Sequence, residues 1–156
     1  VQASIHAPQQ KNKQLQKEDT MTDEAMRREK EAIADLIIRY NWAIDHNDFQ
    51  GWANCFAPEG VFDGMIGQYA AHGELARFTT DVKKLLETSP NLRHYVTNIQ
   101  TEVNGDRAKS RCFLMMTSTT KEGGSKIAIA GEYEDDLVKH NGQWLFLRRK
   151  VHMDGA

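Results

Sequence analysis

Two residues with complementary chemistry lie far apart in the sequence, Asp45 near the end of the first helical pattern and His94 at the start of a strand pattern. A carboxylate that meets an imidazole fixes its tautomer and raises its basicity, which makes the ring a proton-abstracting base near neutral pH. Nothing local in the sequence brings the two side chains together. The pair therefore suggests an enzyme only if the fold makes them neighbours.

Helical periodicity dominates the first half of the chain. A capping-box spacing and apolar residues at helical intervals predict a first helix over about 22–46. A short helix around Trp52, Cys55 and Phe56 is expected to stop at Pro58-Gly60. A further amphipathic helix is predicted over 74–87, ended by a Ser-Pro pair. Short strands are expected at 61–66 and 68–71.

The last third of the chain has the pattern of a β-meander. Hairpin signals occur at Asn104-Gly105, Gly123-Gly124 and Asn141-Gly142, each between β-rich runs. They predict four antiparallel strands, at 92–103, 107–121, 126–139 and 143–153. Helices followed by a long antiparallel sheet indicate an α+β domain in which the curved sheet wraps around the helices. Such a sheet leaves a concave pocket.

The first hairpin turn allows the strand register to be predicted. If Val103 faces Asp106, two pairs follow: His94 opposite Met115, and Val96 opposite Phe113. The pocket wall near the histidine is therefore expected to be apolar. Asn98 shares a face with His94 by the two-residue period, either as a hydrogen-bonding pocket group or as a satisfied buried amide. A β-bulge would shift these pairings by one residue.

Composition narrows the function classes. The 156 residues suit one domain, and 20 basic against 22 acidic residues leave no basic stripe for nucleic acid. No apolar run approaches the roughly 20 residues of a membrane span. Cys55 and Cys112 lack CxxC spacing, which favours a cytoplasmic location. Residues 1–20 are polar and are interpreted as an N-terminal arm or a cloning remnant, before a domain over 21–156.

The chain also resembles a known family. The order of elements and four segments resemble the SnoaL-like branch of the nuclear-transport-factor-2-like superfamily, over about residues 21–154. The segments are YNWAID at 40–45, NLRHYVTN at 91–98, GEYEDDLVKHNGQW at 131–144 and LRRKVHMD at 147–154. Within that branch the chain is most similar to scytalone dehydratase, bile-acid 7α-dehydratase and hexachlorocyclohexane dehydrochlorinase. The resemblance implies a cone-shaped α+β barrel, commonly trimeric, that eliminates water or HCl without a cofactor.

The resemblance also assigns roles to residues. It implies that Asp45 pairs with His94 and that Tyr40 polarises the substrate, although Tyr40 is equally well explained as a core aromatic residue. Arg149 matches a position that often reaches the pocket in relatives, whereas a solvated basic edge is the alternative for Arg148-Arg149-Lys150. The second catalytic histidine of scytalone dehydratase has no secure counterpart here. That difference argues against scytalone as the substrate.

Two functions follow. The first is a cofactor-free lyase or isomerase that acts on a small apolar or aromatic substrate through His94 and Asp45, with Tyr40 as polarising group. The predicted substrate-binding residues are Asn98, Val96, Phe113, Met115 and Arg149. The alternative is a non-catalytic module that binds a small molecule or a protein partner. Neither metal-ligand spacing nor a Gly-rich phosphate loop is found in the sequence.

The predicted register also leaves an apolar outer face on the sheet. Such a face is expected to be an intersubunit surface in a homo-oligomer, a trimer by resemblance and otherwise a dimer. The residues assigned to this face are Tyr95, Thr97, Ile99, Cys112 and Leu114.

Overall fold

The computed structural model describes the backbone of residues 9–156 and the side chains of residues 23–156. The helices are α1 (Gln9–Asp45), α2 (Phe49–Ala53) and α3 (Leu75–Thr88). The strands are β1 (Phe56–Gly64), β2 (Gly67–Ala70), β3 (Arg93–Asn104), β4 (Arg107–Thr120), β5 (Gly124–His140) and β6 (Gln143–Met153).

The N-terminal region differs from the sequence prediction. Helix α1 begins at Gln9, well before the start predicted near residue 22. Part of the proposed polar arm is therefore helical, and residues 1–8 of it lie outside the described residues. The end of α1 at Asp45 agrees with the predicted end near residue 46.

A single six-stranded sheet forms the larger part of the domain, in the order β2-β1-β6-β5-β4-β3. The antiparallel meander predicted for the last four strands is confirmed. Strand β1 adds to it in parallel with β6, a pairing that the sequence did not predict. The sheet is open, because its edge strands β2 and β3 do not pair with each other. It curves over the helices, which gives the expected α+β cone.

The segment around Pro58 is a strand and not the end of a helix. Helix α2 stops at Ala53, and β1 begins at Phe56 and continues through the proline. The pairing of β1 with β6 is irregular between Phe56 and Val61, and such irregularities accommodate a residue that lacks an N–H donor. At Gly60 an added Cβ would lie 2.8 Å from the carbonyl oxygen of Phe146, so the close approach of the two strands requires glycine.

The hairpin turns explain part of a register error. At Asn141-Gly142 both residues have positive φ, 49° and 78°, as a type I′ turn requires. At the first hairpin Asn104 pairs with Arg107, so the loop residues are Gly105 and Asp106. Of these two only Gly105 has positive φ, 59°, as in a type II′ turn with glycine first. The predicted pairing of Val103 with Asp106 is therefore wrong.

A β-bulge in β3 adds a second shift. The pairing with β4 is irregular between Thr97 and Gln100, and Asn98 within this segment has φ 57°. Beyond the bulge His94 lies opposite Met116 and Val96 opposite Leu114. These partners differ from the predicted Met115 and Phe113, although the wall beside the histidine is apolar as expected.

The corrected register changes the faces of β4. Phe113 and Met115 point away from the helices and are 52% and 38% exposed, so their predicted place in the pocket wall is wrong. Leu114 and Met116 are buried in their stead. The residue period of two means that a shift by one residue exchanges the two faces completely.

The prediction of which residues form the outer face is therefore only partly right. Tyr95 and Thr97 are exposed on it. Cys112 and Leu114 are instead buried in the core, and Ile99 packs against the core because the bulge turns it inward. The outer face therefore contains a different apolar set from the one predicted.

Aromatic side chains fill the space between the sheet and the helices. Trp52 of α2 stacks on Phe78 of α3 with ring centroids 3.7 Å apart, and both contact Phe62 of β1. Helix α1 contributes Tyr40, whose ring meets Phe146 of β6 edge-on at 5.6 Å. Aromatic pairs in such geometries add to the stabilisation from burial. They fix the end of α1 against the sheet.

A polar contact fastens the exposed side of α1 to the other end of the sheet. Glu29 accepts hydrogen bonds from Lys139 Nζ and Trp144 Nε1, both at 2.6 Å. These two donors lower the pKa of Glu29 from its ordinary value of 4.5.

Within the part of the chain that the structure describes, no helix is long and apolar enough to cross a membrane.

Glu29→Gln should lower the free energy of unfolding by about 1 kcal/mol at neutral pH, the typical contribution of such a hydrogen bond. Because the folded-state pKa is depressed, this stabilisation is present above pH 4.5 and is lost as the pH falls through the folded-state pKa. Urea unfolding of both proteins across this pH range measures the difference. Glu24→Gln, at an exposed pair with Arg28, is the control. A difference that does not change with pH would contradict the assignment.

Candidate active site

Asp45 and His94 meet at the end of α1. The Nδ1–H of His94 donates to Asp45 Oδ1 at 2.6 Å, and the backbone N–H of His94 donates to Asp45 Oδ2 at 3.0 Å. Both side chains are largely buried, with 10% and 9% of their surface exposed for His94 and Asp45 respectively. The contact predicted from the sequence is therefore confirmed.

Local structure explains why the carboxylate is held there. Asp45 is the last residue of α1, where an anion is unfavourable because it opposes the helix dipole. The two hydrogen bonds from His94 offset this penalty. Arg93, the preceding residue of β3, donates to the carbonyl oxygens of Asp45 and Leu92 at 3.2 and 2.8 Å. The helix end and the strand start are thus fastened by side chains from both elements.

The geometry fixes the orientation of the imidazole. With Nδ1–H bonded to Asp45, the neutral ring has an unprotonated Nε2. The two ring nitrogens lie on different edges of the ring, so Nε2 points away from the carboxylate. This is the arrangement that a general base requires.

His94 lies between two spaces. The first is an interior apolar cavity of about 70 Å³. The second is an outer recess of about 310 Å³, which Asp45 also borders. His94 borders both spaces, whereas Asp45 borders only the recess. Residues that line the cavity include Tyr40, Met65, Leu85, Leu114, Met116 and Tyr133.

Tyr40 is part of the cavity wall and also part of the core. Its side chain is buried, and its ring lies under the guanidinium of Arg149, 4.3 Å from the carbon of that group. Burial raises the pKa of Tyr40 to about 12. The phenol therefore stays protonated at physiological pH and remains a hydrogen-bond donor on a residue that lines the cavity.

Besides Phe113 and Met115, the three other predicted binding residues do not line the cavity either. Asn98 is exposed, because the bulge turns it out of the inner face. Val96 is on the inner face but packs against the core. Arg149 is fully buried and forms two hydrogen bonds of 2.8 Å with Asp135, so neither a cavity contact nor a solvated edge describes it. Its guanidinium lies against the face of the Tyr40 ring.

Tyr133 lines the cavity but was not predicted from the sequence as a site residue. The signal was present in the segment GEYEDD, where Glu132 and Glu134 alternate with Tyr133 and Asp135. The glutamates face outward, and by the two-residue period the tyrosine and Asp135 point into the core. Among the residues that the structure describes, no group of three histidine, cysteine or acidic side chains is placed to bind a metal ion.

Comparison with known proteins identifies the family. The model of the SnoaL-like domain matches residues 25–150, most of the chain. The chain belongs to the SnoaL-like family. This family assignment agrees with the resemblance that the sequence motifs indicated.

Several relatives of this SnoaL-like protein lack a known function. It is 25% identical over 123 residues to the uncharacterized protein Rv2910c of Mycobacterium tuberculosis, with 75% of this chain and 80% of that protein covered. A solved structure of a variant of Rv3472 from the same organism, of unknown function, is 31% identical with a TM-score of 0.75. That match covers 84% of this chain and 75% of the other.

A more distant structure shares the fold alone. The beta subunit of a putative aromatic-ring-hydroxylating dioxygenase from Novosphingobium aromaticivorans is 18% identical, with a TM-score of 0.71. The match covers 85% of this chain and 93% of that subunit. The fold is therefore shared by proteins with very different printed descriptions, and the site must carry the functional argument.

The tautomer of His94 can be measured directly. In ¹⁵N NMR spectra at mildly alkaline pH, we expect Nδ1 of His94 to be protonated and Nε2 to be bare, because Asp45 accepts from Nδ1. Asp45→Ala should remove this preference and, by leaving the backbone N–H of His94 unpaired, lower stability by about 1–3 kcal/mol. Asp48→Ala, which removes only the cap of α2, is the control. A proton on Nε2 in the unsubstituted protein would refute the proposed orientation.

Proposed function

We propose that this SnoaL-like protein is a cofactor-free lyase or isomerase in which His94, oriented by Asp45, removes a proton from carbon in a small, largely apolar substrate. The observation that carries the proposal is the 2.6 Å contact between Nδ1 and the carboxylate at the edge of an apolar cavity. A base buried beside apolar walls is shielded from water, which strengthens its electrostatic interactions with a bound substrate.

The chemistry requires a C–H group next to a carbonyl or an equivalent electron-withdrawing group. His94 Nε2 takes the proton, the C–H electron pair becomes part of a C=C bond, and negative charge collects on the substrate oxygen. Tyr40 donates a hydrogen bond to that oxygen. Departure of a leaving group from the neighbouring carbon gives elimination, and return of the proton elsewhere gives isomerisation.

The size of the two spaces limits the substrate. The interior cavity of about 70 Å³ has room for little more than two water molecules of about 30 Å³ each. The outer recess of about 310 Å³ is at the lower end of the range for small-molecule pockets, roughly 300–1,000 Å³. A substrate with its reacting end in the cavity and the remainder in the recess fits both. Flexible side chains such as Met65 and Met116 can adapt to it.

The alternative is a binding protein of the same fold without catalysis. A cavity lined by methionine and phenylalanine side chains is compatible with that function. The paired histidine and aspartate favour the enzyme, because a binding pocket for an apolar molecule gains nothing from a buried base.

Proton abstraction can be tested without the natural substrate. In D₂O the protein should accelerate exchange of the α-protons of acetone or cyclopentanone, followed by ¹H NMR, beyond an equal concentration of imidazole. His94→Gln should lower this rate about 100-fold or more, since general-base catalysis typically contributes 10²–10⁴-fold. Tyr40→Phe should lower it as well, because the substrate oxygen loses its donor.

His46→Gln is the matched control, because His46 lies on the outer surface next to the same helix end and its ring, among residues 23–156, hydrogen-bonds only the carbonyl oxygen of Trp42. It should exchange protons at the unsubstituted rate. Equal rates for the unsubstituted protein and His94→Gln would contradict the proposal and favour the binding function.

We further propose a homo-oligomer formed through the outer face of the sheet, a trimer or otherwise a dimer. Tyr95, Phe113 and Met115 form exposed neighbours on β3 and β4, since Tyr95 pairs with Met115 and Thr97 with Phe113. Contiguous apolar side chains of this kind typically mark interaction surfaces.

Sedimentation velocity at micromolar concentration should therefore give a mass that is a multiple of 17.8 kDa. Phe113→Lys combined with Met115→Lys should yield a folded monomer, because charges cannot be buried unpaired in the interface. Ile38→Lys, an exposed apolar position on α1, should leave the assembly intact. A monomer before any substitution would refute this proposal.

A further inference from the structure

Arg149 and Asp135 form an ion pair in the interior of the protein. Arg149 Nε and Nη2 donate to the two carboxylate oxygens of Asp135 at 2.8 Å each, and neither side chain has exposed surface. Nη1 of Arg149 has no hydrogen-bond partner among residues 23–156. The pair is therefore both fully desolvated and incompletely satisfied.

Such a pair adds little to the free energy of unfolding. The cost of removing two charges from water commonly equals or exceeds their attraction, and apolar residues of similar volume often do as well or better. An unpartnered buried donor adds a further penalty. The position of the guanidinium suggests what the charge does instead.

The guanidinium lies against the aromatic rings that form the floor of the cavity. Its carbon is 4.0 Å from the ring centre of Tyr133 and 4.3 Å from that of Tyr40. The two tyrosine rings meet edge to face with centroids 6.0 Å apart. Both tyrosines line the cavity, whereas Arg149 lies behind them. The cation is thus separated from the cavity by the two phenols.

We propose that Tyr133 is a second hydrogen-bond donor to the substrate oxygen, beside Tyr40, and that Arg149 is a positioning residue that holds both phenols at the cavity floor and favours negative charge there. This inference rests on the proposed proton abstraction by His94.

The charge balance of the step is simple. The proton from carbon goes to His94 Nε2, and the negative charge that develops on the substrate oxygen is shared with the two phenol O–H groups, which keep their protons. Burial raises the pKa of Tyr133 well above its ordinary value, so that it remains a donor, while the cation of Arg149 acts in the opposite direction. A nearby positive charge makes the phenol a stronger donor without ionising it.

Tyr133→Phe tests the donor, because it removes only the hydroxyl and keeps the ring against Arg149. In the α-proton exchange of cyclopentanone we expect kcat to fall about 100-fold, as for loss of one oxyanion donor, with KM nearly unchanged. Tyr69→Phe is the matched control: Tyr69 is equally buried, but its hydroxyl donates to protein oxygens of Ile66 and Asp81. It should leave kcat unchanged.

The double substitution Arg149→Met and Asp135→Leu tests the positioning residue. Replacing both charges by apolar side chains avoids an unpaired buried charge, so the protein should fold, as thermal unfolding followed by circular dichroism will report. We expect kcat to fall at least tenfold with KM little changed, since the cation contributes to the transition state, and a merely structural role would leave kcat intact. If the double variant does not fold, Tyr133→Phe alone decides the inference.

The outcomes separate the two proposals. Exchange by the unsubstituted protein with no loss in Tyr133→Phe would overturn this inference and leave the role of His94 standing. If the unsubstituted protein exchanges the α-protons no faster than His94→Gln does, the proposed function is overturned and this inference with it.

Discussion

The contact between Asp45 and His94 constrains the rest of the site. It joins the last residue of α1 to the second residue of β3 and places a carboxylate where the helix dipole disfavours it. Only a donor at that position makes the arrangement favourable, and His94 supplies two, from its ring and its backbone. The same contact leaves Nε2 unprotonated in the neutral ring of a residue that borders the apolar cavity. Position, tautomer and direction of the imidazole therefore follow from one interaction.

Behind the cavity, the core contains the charged side chains of Arg149 and Asp135, whereas an ordinary protein core is apolar. Arg149 is completely buried, and its guanidinium, paired with Asp135, lies against the rings of Tyr40 and Tyr133 that form the cavity floor. The base His94 and the two tyrosines border the same apolar cavity, and the screened cation lies behind the tyrosines. This polarity suits a reaction that develops an oxyanion, and it is difficult to explain from stability alone.

Much of the architecture could be predicted from the sequence, since helical and strand periods and Asn-Gly turns are local signals. Asp45 and His94 were identified because family motifs place them. The wall opposite the histidine was misassigned, because one glycine-first turn and the bulge at Asn98 each shift the register, and neither has a clear local signature. The burial of Arg149 could not be foreseen either, because a run of basic residues ordinarily faces solvent.

In the proposed reaction a substrate in the interior cavity meets Nε2 of His94. Titration of ¹⁵N-labelled protein with cyclopentanone, followed at the histidine ring nitrogens, tests it most directly. We expect the Nε2 resonance of His94 to shift with saturation, while its Nδ1, bonded to Asp45, and the ring of His46 change little. Saturable binding that leaves Nε2 of His94 unperturbed would contradict it.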